Sequence, residues 1–275
     1  MLIRKKTTTG TLVTIARSLL AAPAGFAMDC RQASAPVEHA ICSDRQLRAA
    51  DAAMGDAYAR LLKTANDADI RTMLIDGQKR WLAQRDRLFD RRLASADKDR
   101  QRTVMLSAMQ DRTQALAERP LVAIAQGQRK FAARYTGGPF AGFETSCDFL
   151  PVQESYVYGC FARRQYQHND RVCVVDAYWA TGSVYEKRFV ADVVDGKPKV
   201  IATCSVGGFE GETVCPGSPG DRPRWNTRPK DTVLTPSLPK IDAEVGPDED
   251  GPWLRACLTD LTYPLRDPSH DSSRK

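Results

Sequence analysis

The chain has 275 residues, 42% hydrophobic and 27% charged, a globular composition long enough for one large core or two small ones, and two modest domains are expected. Its formal charge is +6, but Arg4, Lys5, Lys6 and Arg17 all lie in the first 27 residues, so the remainder is close to neutral and lacks the basic excess that nucleic-acid binding uses. Beyond those residues no segment approaches the roughly 20 apolar residues that span a bilayer.

The three basic residues at positions 4 to 6 precede an apolar stretch from Thr11 to Ala27 that ends Ala24-Gly25-Phe26-Ala27. Small residues at the minus-three and minus-one positions of a cut after Ala27 mark residues 1–27 as a secretory signal peptide, with Arg17 the one residue that weakens its apolar core. Cys30 follows Ala27-Met28-Asp29 rather than a run of small residues, so a mature protein free of a lipid anchor, periplasmic or secreted, is expected. All eight cysteines lie after the cut, and an even number in an exported chain suits disulfides in an oxidising compartment. There is no CxxC pair, and His39, His168 and His270 are far apart, so neither a metal site nor any other cofactor is expected.

From Pro36 to about Gln126 the chain is rich in Ala, Arg, Leu, Gln and Asp, a helical composition. Leu47, Ala50, Met54, Ala57, Tyr58, Leu61 and Leu62 recur at three-to-four spacing after Asp44, which predicts a helix from about Arg45 to Lys63 with Asp44 as N-cap. A second stripe, Ile70, Leu74, Gly77, Trp81, Leu82, Arg85 and Leu88, starts after Asn66 or Asp67, and a third runs through Val104, Met105, Ala108, Thr113 and Leu116. Three helices packed together account for a domain over residues 28–126.

Past Phe131 the texture changes. Gly137-Gly138-Pro139 punctuates the chain, and 156–158, 171–178 and 187–194 are β-branched or aromatic. The run from Val190 to Ala202 reads as a hairpin turning at Asp195-Gly196. Eight prolines between Pro216 and Pro252 mark residues 216–252 as a long irregular connection. Cys147, Cys160, Cys173, Cys204, Cys215 and Cys257 permit fifteen pairings, and the sequence does not choose among them. The expected fold class is α+β in two domains, a helical bundle followed by a cysteine-rich, mainly β domain over residues 131–275. Charge differs in sign between the halves, with 19 basic and 14 acidic residues from Met28 to Lys130 and 17 and 20 from Phe131 onward.

Within the helical half an ordered set stands out: Cys30, Pro36-Val37-Glu38, Cys42, Leu47, Asp51, Tyr58, Gln78, Trp81, Arg85 and Asp86. This set resembles the LprI-type lysozyme-inhibitor family, over about residues 30–116, with Arg112 and Leu116 fitting the end of the family pattern. The resemblance implies a Cys30–Cys42 disulfide that pins the chain entry against the first helical turn, where Pro36 suits a first-turn position. It also places Gln78, Trp81 and Arg85 on one helix face, where a fold-holding cluster is favoured over a ligand site because buried polar groups normally satisfy one another. Where the family commonly carries a second cysteine pair, this chain has Leu88 and Val104, a departure that leaves partner specificity open. The segment from Tyr158-Gly-Cys160 to Thr181-Gly-Ser-Val-Tyr185 has a faint similarity to the β-barrel lysozyme inhibitors of the MliC type.

The resemblance implies an exported protein whose partner is a lysozyme or related peptidoglycan hydrolase and which blocks that enzyme's cleft. The alternative is an envelope protein-interaction module, or a protective protein against another wall hydrolase, equally without catalysis. No GxSxG, HExxH, phosphate loop or paired histidines occur, so no catalytic residue is expected. Arg80, Arg85, Arg87, Arg91 and Arg92 form a local basic run, which beside Asp86 and Asp90 reads first as a solvated helix face.

Overall fold

The computed structural model describes residues 28–118, 121–135, 138–180, 183–206, 214–216, 224–230, 232–236, 238–245 and 251–264, and the signal peptide expected over 1–27 lies outside them. The helical part comprises α1 (Pro36–Ser43), α2 (Arg45–Thr64), α3 (Ala68–Leu88), a π-helical turn (Phe89–Leu93), α4 (Lys98–Glu118) and α5 (Leu121–Arg134).

Local chemistry sets where these helices start. Pro36 opens α1 with its φ already helical, and the Glu38 carboxylate accepts from the main-chain N–H groups of Ser34 and Ala35 at 2.6 and 2.9 Å. Asp44 caps α2 by accepting from Gln46 and Leu47. Asp67, rather than Asn66, caps α3, accepting from Asp69 and Ile70. The three helices expected from periodicity are α2, α3 and α4; α1 lies where a first helical turn was expected at Pro36, and α5 is an addition. The face of α5 carries Leu121, Ala125, Gln128 and Phe131, all buried, and the polar Gln128 interrupts the apolar stripe that a sequence reading follows. This helix runs unbroken across residues 126–131, where composition placed the change between halves.

The β part is a five-stranded antiparallel meander in sequence order: β1 (Gly142–Val152), β2 (Ser155–His168), β3 (Arg171–Ala180), β4 (Ser183–Val194) and β5 (Lys197–Val206). The expected turn is present: Val194 pairs with Lys197, and Asp195 and Gly196 between them have φ of 50° and 72°, the two positive values a type I′ turn needs. Val172 to Val175 on β3 are 0% exposed, so this strand is covered on both faces and reads as an unbroken apolar run rather than an alternation. One face packs on α5 and on α6 (Pro252–Thr259) through Phe131, Tyr166, Val190 and Leu254. The other is covered by Phe140 and Leu234. Among the described residues of the proline-rich stretch before α6 there is no helix, and strand-like pairing is limited to an isolated bridge at Asn226.

Four disulfides are present. Cys30–Cys42 holds the entry segment to α1, Cys147–Cys160 crosses the paired strands β1 and β2, Cys204–Cys215 closes a loop after β5, and Cys173–Cys257 ties the central strand to α6 across 84 residues. Cross-linking removes more unfolded-state entropy the longer the loop. Replacing Cys173 and Cys257 by Ala is therefore expected to cost about 4.5 kcal/mol, against about 3 for Cys204 and Cys215, measured by guanidinium unfolding of the oxidised proteins. Equal losses would sink the loop-length account.

Charge also couples these helices to acidity. The carboxyl groups of Glu38, Asp44 and Asp67 are held below their ordinary values, Glu38 first by the Ala35 N–H, Asp44 first by the Arg102 guanidinium and Asp67 first by that of Arg129. A depressed folded pKa gives stability that is present above the unfolded value of about 4 and is lost as pH falls through the folded one. The thermal midpoint is accordingly expected to hold above about pH 5 and to drop below about pH 4. An Asp44→Asn, Asp67→Asn double variant keeps its caps and should show a shallower acid drop.

Candidate functional site

Several of the residues that carry the resemblance pack around Trp81. The tryptophan is 1% exposed, and two guanidinium groups stand near its ring, Arg85 at 5.9 Å and Arg112 at 6.0 Å from the centroid. Such cation–π contacts strengthen when desolvated. Phe149 of β1 meets the same ring edge-on at 6.1 Å, so the β1–β2 hairpin contributes to the helical core, with Tyr158 of β2 beside it. Burial pushes the Tyr158 phenol up to about 12.

Buried arginines need anions. Arg85 faces Asp51 of α2 at 3.6 Å and Asp86 at 2.8 Å. Arg112 donates to Gln78 Oε1 at 3.0 Å and to Glu244 at 2.9 Å, the Arg112 and Glu244 side chains being 3% and 6% exposed. Leu47 and Tyr58 complete the packing from α2; the Tyr58 hydroxyl has no hydrogen-bond partner among the described residues, and burial raises its pKa. The structure thus brings Leu47, Asp51, Tyr58, Gln78, Trp81 and Arg85 into the interior. Pro36 is exposed, and Glu38 and Asp86 are intermediate. Leu88 and Val104, where the resemblance implies cysteines, are both buried in this core.

The partner of Arg112 is what sequence reasoning missed. Residues 238–245 lie along α3, α4 and α5: Asp242 pairs with Arg80 at 3.1 Å, and Gln128 donates to the carbonyls of Asp242 and Val245 while accepting from the Asp242 N–H. A Cβ on Gly77 would stand 3.1 Å from Glu244 Oε1, so a glycine inside α3 permits the close approach. That glycine, costly in a helix interior, was the one local signal of a visitor from elsewhere in the chain.

The basic run divides. Arg80 and Arg85 are occupied as above, whereas Arg87, Arg91 and Arg92 are exposed at the end of α3 and on the π-helical turn, with Asp90 exposed among them. The cavity beside the Arg112–Glu244 pair, lined by Met73, Leu74, Leu116, Leu121 and Ala243 as well, has room for about one water, far below a small-molecule site. No cluster of His, Cys, Asp and Glu able to hold a metal occurs among the described residues, and no described helix is long and apolar enough to cross a membrane. Of the segment similar to MliC-type inhibitors, Thr181 and Gly182 lie outside the described residues, while Tyr185 sits on β4. What this geometry offers is a packed interior around Trp81 with exposed side chains at its surface.

Because Arg112 is buried, deleting its anion should cost far more than a surface change. Glu244→Ala is expected to destabilise by about 3–5 kcal/mol, and the double change Glu244→Ala with Arg112→Met to recover part of that loss, read by denaturant unfolding. A Glu244→Ala loss below about 1 kcal/mol, the range of an exposed pair, would contradict the clamp.

No curated protein and no solved structure matches the chain. Residues 28–119, which hold the Cys30–Cys42 bridge and, among the described residues around Trp81, Arg85 and Arg112, match the family model described as Lysozyme inhibitor LprI.

Proposed function

We propose that the protein is an exported inhibitor that binds a lysozyme or related peptidoglycan hydrolase and occludes its cleft without performing chemistry. The observation that carries this is the match of residues 28–119 to the lysozyme inhibitor LprI family. The inward-facing motif residues then act as scaffold, and the contact with the enzyme falls to exposed side chains. A lysozyme presents two catalytic carboxyl groups in its cleft, and exposed arginines meet carboxylates with paired, charge-assisted hydrogen bonds. Arg87, Arg91 and Arg92 are therefore the first surface to vary. The acidic second half supplies attraction toward enzymes that are themselves basic, since complementary fields raise association rates.

The test is turbidity clearing of a peptidoglycan cell suspension by a panel of lysozymes, with and without oxidised protein beginning at Met28. The expected outcome is slowed clearing by at least one lysozyme type, with an Arg91→Glu, Arg92→Glu variant weakened about tenfold, equivalent to about 1.4 kcal/mol, and unchanged in its unfolding midpoint. Absence of slowing with every lysozyme by a folded protein overturns the inhibitor function and leaves an envelope interaction module.

A further inference from the structure

The main-chain nitrogen of Met28 donates to Oδ2 of Asp51 at 2.8 Å. Asp51 is 6% exposed on α2, and its other oxygen stands 3.6 Å from Arg85 Nη1, a long contact for a buried pair. Arg85 directs Nε and Nη2 to Asp86 at 2.9 and 2.8 Å, and its charge also reaches Glu38 on α1. One guanidinium therefore faces two carboxylates within ion-pair distance, contributed by α2 and α3. The more deeply buried of the two, Asp51, stands the further from it. A carboxylate so placed is short of positive charge.

We propose that Asp51 is the receptor for the free α-ammonium of Met28, formed when the Ala27–Met28 bond is cut. The inference goes beyond inhibition and rests on the signal-peptide reading. In the hydrolysis, water adds across the amide bond, the carboxylate leaves on Ala27, and the amine left on Met28 takes up a proton. Before the cut the same nitrogen is a neutral amide that offers Asp51 one hydrogen bond. After it, the nitrogen brings a unit charge into a cluster of two negative groups, Asp51 and Asp86, around one positive one.

The seat for this terminus is already built. Cys30–Cys42 fixes the chain two residues on, the Gln32 N–H closes a turn on the Asp29 carbonyl at 2.9 Å, and the Met28 side chain packs against the helical core. Preorganisation of this kind reduces the entropy lost when the terminus docks. Processing thereby adds a charge pair that anchors the entry segment to α2.

The ammonium gains a partner on folding, so its folded pKa lies above the unfolded value of about 7.7–8.0. Its stabilisation is fully present below that value and is lost as pH rises through the folded one. Arg85, Asp51, Asp86 and Glu38 are the charged groups around this terminus and are common to both chains compared, so a difference between them from pH 6 to 10 reports the amine.

The experiment compares two oxidised proteins, one beginning at Met28 and one carrying Gly-Ser ahead of it, each also as Asp51→Asn, by thermal unfolding from pH 6 to 10. The chain beginning at Met28 is expected to melt about 3–6 °C higher at pH 6.5, with the gap closing toward pH 10 and absent in the Asp51→Asn pair. Equal midpoints at pH 6.5, or a gap that persists at pH 10, overturn the proposal. If Asp51→Asn does not fold, the pH dependence of the gap in the unsubstituted pair decides. Mass measurement of the exported protein separates the two premises: an N-terminus elsewhere than Met28 overturns the processing step and leaves the lysozyme-binding proposal standing.

Discussion

A buried tryptophan with two buried guanidinium groups against its ring is the constraint around which the rest of the molecule is arranged. Trp81 supplies apolar surface and a π face, but Arg85 and Arg112 bring two charges into the interior with it, and such charges are tolerated only with anions and hydrogen bonds in place. Asp51 answers Arg85 from the neighbouring helix, whereas Glu244 answers Arg112 from 132 residues further on. Satisfying one ring environment therefore recruits the end of the proline-rich connection to the helical surface. The same residues 238–245 reach the sheet, where the Pro239 carbonyl accepts from the Phe143 N–H at 2.8 Å.

Features written in local periodicity were legible from the residues alone. The α2 and α3 stripes, their aspartate caps, and the Asp195-Gly196 turn all depend on neighbours within four positions. The Cys30–Cys42 pair was legible through resemblance rather than physics. What escaped was long-range or disguised. Gln128 broke the apolar stripe of α5 because it serves as the amide that grips Asp242. The pairing of the other six cysteines depends on sheet register and on where α6 docks, neither of which leaves a trace in spacing. Glu244, seemingly one of many acidic residues in an irregular stretch, is the buried counter-ion of the family arginine.

The burial of the motif residues also explains why the resemblance speaks more clearly about fold than about target. Side chains that build an interior are restricted by volume and by hydrogen-bond demand. Exposed positions such as Arg87, Arg91 and Arg92 are free of both limits. Leu88 and Val104 fit this division, both being apolar and buried in the interior.

The connectivity of the disulfides has a consequence for how the protein is made. In a chain threaded N-terminus first into an oxidising space, Cys30 meets Cys42, and Cys147 meets Cys160, as the next thiol to emerge. Cys173 is different, since its partner Cys257 arrives only after Cys204 and Cys215 have passed. For that interval the central strand of the sheet carries an unpaired thiol with two wrong partners closer at hand than the right one. Thiol–disulfide exchange through mixed disulfides is the chemistry that corrects such errors. The bridge that ties the sheet to α6 is thus the one whose two ends are not consecutive thiols along the chain.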